Sequence, residues 1–180
     1  YDSVPSVSSI WRILKRRGFV VPQPKKRPRS SFIRFEADLP NETWQSDMTH
    51  WRLADGTEVE ICSWLDDHSR YLLDCTAFGR VSGDDVVATF TISGEEHGWP
   101  AATLTDNGAV YTSRFTGGRN GFEYLLAYLG IRQKNGAPGH PQTQGRIERF
   151  HQTLKRWLER QPAARTVVEL QLQLDAFRYA

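Results

Sequence analysis

Residues 43–78, TWQSDMTHWRLADGTEVEICSWLDDHSRYLLDCTAF, decide the fold. Three runs rich in β-branched and aromatic residues, TWQSDMTHWRL, EVEICSWLDD and RYLLDCTAF, are separated only by the turn-forming stretches ADG and DHS. Connections this short join antiparallel neighbours, so the stretch predicts a three-stranded meander. Working outward, the spacing predicts a helix from about Asp84 to His97, with Gly94 as a point where it can break, and then a short strand, AATLTD, ending at Asp106. A helix around Phe122–Leu129, a strand at Ile131–Lys134, the loop GAPGHPQTQG, a long helix from about Gln144 to Arg160 and a last helix over Val167–Tyr179 follow. A meander followed by alternating helices and strands is the order of an α/β protein, a mixed sheet flanked by helices.

Ahead of the meander the chain has a different character. SVSSIWRILKRRGF places Val7, Ile10, Trp11 and Leu14 at helical spacing between capping serines and Gly18, which predicts one short amphipathic helix. PQPKKRPRSS after it is too rich in proline and charge to form a core and reads as an extended basic linker. This divides the chain into an N-terminal helix with linker over 1–39 and a compact domain over 40–180. Residues 1–35 hold nine Lys and Arg against the single acid Asp2, so within a total of +2 the arm carries eight net positive charges and the rest six net negative. Lys25, Lys26, Arg27 and Arg29 lead this run, which suits either phosphate contacts or a merely solvated linker.

Composition excludes several classes. No apolar run of about 18 residues occurs and the start holds no leader-like stretch, which predicts a soluble intracellular protein with no membrane partner. The only methionine is Met48, so the chain reads as a piece of something longer. Cys62 and Cys75 have neither CxxC nor paired-histidine spacing and read as buried thiols rather than zinc ligands. A hairpin centred between His68 and Ser69 would set them opposite each other on adjacent strands.

Three carboxylates stand out. Asp47 lies mid-strand among apolar neighbours, Asp106 ends a strand before Asn107-Gly108, and Glu148 sits beside the apolar stripe Ile147, Phe150, Leu154, Leu158 of the long helix. Brought together they would repel unless a cation lay between them, and divalent magnesium, an ion of oxygen ligands, is the natural one. Two such ions about 3.5–4 Å apart can drive an in-line phosphoryl displacement. With 21 acids in the chain, residue type alone leaves the active-site and the incidental reading both open. Asp66 and Asp67 at a turn, with Asp66 within reach of Arg70, Asp84 and Asp85 at a helix start, and the solvated Glu95 and Glu96 read as structural.

TLTDNGAVYTSRF, then LGIRQKNGAPGHPQTQGRIERFHQTLKRWL, and WQSDMTHWRL with DDHSRYLL ahead of them, closely resemble the catalytic core of bacterial insertion-sequence transposases of the DDE type, relatives of retroviral integrases, over about residues 40–180. The resemblance implies a ribonuclease H-like fold on a five-stranded mixed sheet. It also implies metal-dependent cleavage at element ends with joining of the 3′-OH to target DNA. Asp47, Asp106 and Glu148 match the family's triad and would bind Mg²⁺ or Mn²⁺, two ions per site, with no organic cofactor. Lys155 matches the family's basic residue seven places after its glutamate, while His140, Gln142, Gln144 and Arg146 in the loop entering the helix are further candidates for DNA contact. Partners implied are the element's terminal repeats, target DNA and further copies of the chain, in a bacterial cytoplasm with nucleoid contact during activity. Rival readings are a ribonuclease H-like nuclease without strand transfer and a catalytically silent DNA-binding regulator.

Two departures accompany the likeness. Between Asp106 and Glu148 lie 41 residues. The family's usual number is about 35, and an insertion of about six within TGGRNGFEY, in a loop where length costs little, accounts for the excess. The likeness also implies a C-terminal truncation and makes the helix at 6–17 a remnant of a helix-turn-helix.

Overall fold

The computed structural model describes residues 6–19, 37–113, 117–135 and 145–179. The meander forms as the turns require: β1 (Thr43–Arg52), β2 (Glu58–Asp66) and β3 (Leu72–Phe78) pair antiparallel. After α2 (Gly83–His97), β4 (Ala102–Thr105) returns to the other side of β1 and pairs with it parallel. Then α3 (Gly121–Leu129) leads to β5 (Arg132–Asn135), which pairs parallel with β4. The order β3-β2-β1-β4-β5 makes β1 the middle strand. The chain closes with α4 (Gly145–Leu158) and α5 (Val167–Arg178).

Alternation along β1 sorts its side chains onto the two faces. On one face Trp44 joins Trp64, Phe90, Tyr111 and Phe122 in an aromatic core under α2 and α3, and Ser46 accepts or donates a 2.8 Å hydrogen bond with the buried Tyr111 hydroxyl. On the other face β2 and β3 supply Val59, Ile61, Leu65 and Cys75 to a second core closed by Leu154 and Leu158 of α4 and Leu170 and Leu174 of α5. Burying each of these large side chains is worth about 1.5–3 kcal/mol, so the two helical layers hold the sheet rigidly between them.

The cysteine pairing expected across the hairpin is corrected by one residue. Next to the turn Leu65 faces Leu72, but a bulge shifts the ladder, and Ser63 then faces Cys75 while Cys62 faces Thr76. Since neighbours on a strand point to opposite faces, the two thiols lie in different cores. Both are free, and burial pushes each up to about 12.

Helix α2 runs unbroken through Gly94, contrary to the expected weakness there. The Trp99 ring lies over the Gly94 Cα where a Cβ would stand, so glycine serves packing and not a break. Gly94→Ala is expected to destabilise the fold by about 1–3 kcal/mol, since the ring must move aside. A denaturant titration showing no change would contradict this contact. At the turn after β2, Asp66 accepts hydrogen bonds from Ser69 N–H and Oγ, both at 2.7 Å, and from Asn41 N–H at 2.8 Å. These side-chain bonds shape the corner.

Residues Tyr1–Arg34 and Phe35–Ala180 form two separate compact units. In the first, α1 (Val7–Arg16) is capped by Ser6, whose hydroxyl accepts from Ser9 N–H at 3.3 Å, and no residue of the helix is buried. Among the described residues no helix is long and apolar enough to cross a membrane.

Candidate active site

Strand register brings the first two carboxylates together. β1 and β4 pair as Thr43 with Ala102, Trp44 with Thr103 and Gln45 with Leu104. Continuing that parallel register one step past β4 sets Asp106 beside Asp47, on the same face of the sheet. This is the face that α4 covers, and the Asp47 carboxylate lies 3.9 Å from the His151 ring of that helix. Glu148 stands one helical turn before His151, exposed in the first turn of α4, where the helix N-terminus favours a negative charge.

The charges of the three carboxylates are coupled. The Asp47 carboxyl is pushed up to about 6, chiefly by burial; the Met48 N–H lowers it, and the charges of Asp106 and Glu148 add to the rise. Such mutual repulsion operates only between groups sharing one neighbourhood. Each aspartate also has one oxygen committed to backbone. Asp47 Oδ1 accepts from Met48 N–H at 2.8 Å, and Asp106 Oδ1 accepts from Gly108 N–H at 2.8 Å. A Cβ on Gly108 would lie 2.9 Å from that Asp106 oxygen, so glycine keeps the carboxylate seated. The Oδ2 atoms accept no hydrogen bond from the described residues.

A carboxyl that holds its proton more tightly folded than unfolded favours folding most below its unfolded value, here 3.8, and that contribution is lost as pH rises through about 6. Without metal, Asp47→Asn is therefore expected to gain about 1–3 kcal/mol over the parent near neutral pH. The gain should vanish as pH falls below 4. Denaturant melts at a series of pH values test this, and a pH-independent difference would contradict it.

The other candidates fall in three groups. Lys155 is half-buried two turns beyond Glu148 and lines a shallow cleft of about 320 Å³ with His50, Trp51, Arg52 and Glu58. Arg146 turns inward: its Nη1 donates to Asp67 Oδ2 at 2.6 Å and to the Asp67 carbonyl at 2.8 Å. His140, Gln142 and Gln144, and Lys25, Lys26, Arg27 and Arg29 of the arm, lie outside the described residues.

Sequence reasoning overlooked His151 and gave Asp67 a structural place without its partners. Asp67 is a buried hub whose carboxylate also accepts from Ala37 N–H at 2.8 Å and from Gln45 Nε2 at 2.6 Å. His151 is buried on the stripe Ile147, His151, Leu154, Leu158, while Phe150 is only half-buried. Its spacing of 4, 3 and 4 was the available clue. Desolvation, with Lys155 nearby, lowers the His151 ring to about 4, so its contact with Asp47 is not an ion pair at neutral pH.

The donor set suits a hard divalent cation in type: hard carboxylate oxygens, two of them uncommitted, around an aspartate that burial, with the neighbouring charges adding to it, makes reluctant to ionise. Among the described residues no three such side chains are already drawn up around a common centre.

A five-stranded mixed sheet with Asp47 on its middle strand, Asp106 just past the end of the neighbouring strand and Glu148 on a covering helix has the layout of a ribonuclease H-like core. Sequence comparison agrees. Residues 37–141 match the integrase core domain family, and residues 129–180 match a second integrase core domain profile. The chain belongs to the integrase core domain family.

Among similar proteins, the Gag-Pro-Pol polyprotein of squirrel monkey retrovirus is 34% identical over 122 residues, 68% of this chain and 6% of that protein. An uncharacterized 39.2 kDa protein of insertion element IS476 from Xanthomonas euvesicatoria is 27% identical over 158 residues, 82% of this chain and 42% of that protein. The chain thus spans less than half the length of these relatives. A chain of the simian T-cell lymphotropic virus intasome bound to PP2A regulatory subunit B56 gamma superposes with TM-score 0.63 at 25% identity, covering 77% of this chain and 49% of that one. The HTLV-2 integrase catalytic core in complex with magnesium shares the fold, with TM-score 0.57 at 21% identity, covering 69% of this chain and 73% of that one.

Proposed function

We propose that this integrase-type core, with Mg²⁺ or Mn²⁺ held by Asp47, Asp106 and Glu148, cuts a DNA strand at an element end and joins the exposed 3′-OH to target DNA. The observation that carries the reading is the strand register that sets Asp47, on the middle strand, beside Asp106 on the sheet face covered by the helix that bears Glu148. In the first step a water oxygen bonds to phosphorus and the P–O3′ bond breaks, leaving a 3′-OH. In the second that hydroxyl attacks a target phosphodiester and displaces its 3′ oxygen. Two bound cations would activate the attacking oxygen and neutralise charge on the leaving one. The protein's own residues do the rest. Asp47 and Asp106 offer their free Oδ2 atoms, Glu148 completes the donor set, and Gly108 N–H keeps Asp106 seated. No covalent enzyme intermediate is required, consistent with both thiols being buried and held at about 12.

Lys155 would hold a phosphate beside the site, and the basic residues Lys25, Lys26, Arg27 and Arg29 of the arm would add phosphate contacts outside it. His140, Gln142 and Gln144 would meet DNA ahead of α4, whereas Arg146, turned inward onto Asp67, would seat that helix instead. Assembly of several copies on DNA is supported by the intasome and by the trimeric and dimeric forms of the HTLV-2 core. The insertion-element relatives from Xanthomonas and Burkholderia support action on bacterial DNA in the cytoplasm. Incubating the full-length protein with labelled element ends, a plasmid target and Mg²⁺ is expected to yield joined products. Cleaved ends without joining would instead establish a nuclease, and no metal-dependent cleavage a silent regulator.

A further inference from the structure

Building on the metal-site reading above, we propose that His151 is a positioning residue for Asp47, its neutral imidazole directing Nδ1–H at the carboxylate oxygen left free by the backbone. Nδ1 lies 3.9 Å from Asp47 Oδ2, just beyond hydrogen-bond length, while Oδ1 of the same carboxylate is held by Met48 N–H at 2.8 Å. The ring is 7% exposed, and Nε2 is sealed from solvent with no hydrogen-bond partner among the described residues. A buried imidazole left with one partnerless nitrogen is costly, and such groups usually have a reason.

The choice of tautomer supplies one. A hydrogen on Nε2 would be a buried donor with nothing to meet, and would turn the Nδ1 lone pair toward an oxygen rich in lone pairs. A hydrogen on Nδ1 points at Asp47 and leaves only a weak acceptor sealed in the core. For the bond to form, the two groups must approach by about 0.7 Å or more from their present 3.9 Å. An oxygen so held keeps a second lone pair for a cation, and its direction is fixed. Placement on α4 gives the contact a further consequence. Glu148 lies one turn earlier on the same helix, so His151 ties the strand that bears Asp47 to the helix that bears Glu148.

The test measures Mn²⁺ binding to the metal-free protein by electron paramagnetic resonance of free Mn²⁺, in the absence of DNA, alongside thermal melting. His151→Asn keeps an N–H donor near the position of Nδ1, and His151→Leu fills the space between Ile147 and Leu154 without one. Leu is expected to weaken Mn²⁺ binding by about 10–100-fold with an unchanged or higher melting temperature, and Asn to stay within about 3-fold of the parent. Binding by the Leu variant equal to the parent, or by Asn as weak as Leu, would overturn the inference. Asp47→Asn is the control that separates the two levels. If it too leaves Mn²⁺ binding unchanged, the metal-site reading falls and the positioning role with it. If it abolishes binding while the Leu variant binds normally, only the positioning role falls.

Discussion

Asp47→Asn, Asp106→Asn or Glu148→Gln is expected to lower strand joining by on the order of 10³-fold or more while DNA affinity changes little. Each substitution removes one anionic oxygen donor and keeps the shape of the side chain. The phosphate contacts proposed for Lys155 and the basic arm lie on other residues, so binding should survive. The three losses should not add, because residues that act as one unit lose most of their effect when any one is removed. A double variant should therefore be hardly worse than a single one. Joining assays with gel-shift measurements on the same preparations check this, and a triple variant that still joined strands would end the proposal.

Arg146→Met is expected to cost about 3–5 kcal/mol of folding stability, because it leaves the Asp67 carboxylate buried without its counter-charge. The pair is almost wholly enclosed, with side-chain exposures of 14% for Arg146 and 5% for Asp67. Asp67 follows β2 directly, and Arg146 lies in the first turn of α4 two residues before Glu148, so the same ion pair anchors the end of the helix that carries the third carboxylate. Asp67→Asn should also destabilise, since the Gln45 and Ala37 bonds end on different carboxylate oxygens and a single amide oxygen can keep only one of them once the charge is removed. Equilibrium denaturation measures both. An Arg146→Met protein as stable as the parent, with weakened DNA binding, would return this residue to the DNA-contact role that its position in the entry loop first suggested.

The layout of the sheet was legible because its turns are short and its apolar periodicity is strong. ADG and DHS force antiparallel neighbours, and the Asp106 strand needed only a parallel partner. What escaped depended on three-dimensional placement. A single bulge beyond the DHS turn moved the cysteines out of register, an event that residue spacing across the turn does not announce. The ion pair of Arg146 with Asp67 joins residues 79 apart in sequence, and by sequence alone an arginine at a helix entry is indistinguishable from one that meets phosphate. His151 was hidden by its polarity: Phe150 seemed the natural member of the buried stripe, yet the helix turns the imidazole inward instead. Gly94 was misread because a glycine in a helix can either break it or admit a neighbour, and only the position of Trp99 decides.

The glycine-rich stretch before α3 bears on Glu148, since the likeness to insertion-sequence transposases holds only if extra length there is harmless. Asn120 caps α3, and Glu123 reaches back to accept from Asn120 N–H at 2.9 Å, Thr112 Oγ1 at 2.8 Å and Ser113 Oγ at 2.7 Å. These bonds hold the Glu123 carboxyl down at about 2 against the cost of desolvation. The described part of the segment is thus fastened to the residues that follow Asp106. Together with the Asp47 charge coupling to Glu148, this supports keeping Glu148 as the third member of the triad.

The most direct test of the central claim is a crystal structure of the protein grown with Mn²⁺, read from its anomalous difference density. The account predicts density between Asp47 and Asp106, bounded by their Oδ2 atoms, with Glu148 turned toward it. Absence of density there at saturating Mn²⁺, or ions bound only at other carboxylates, would contradict it.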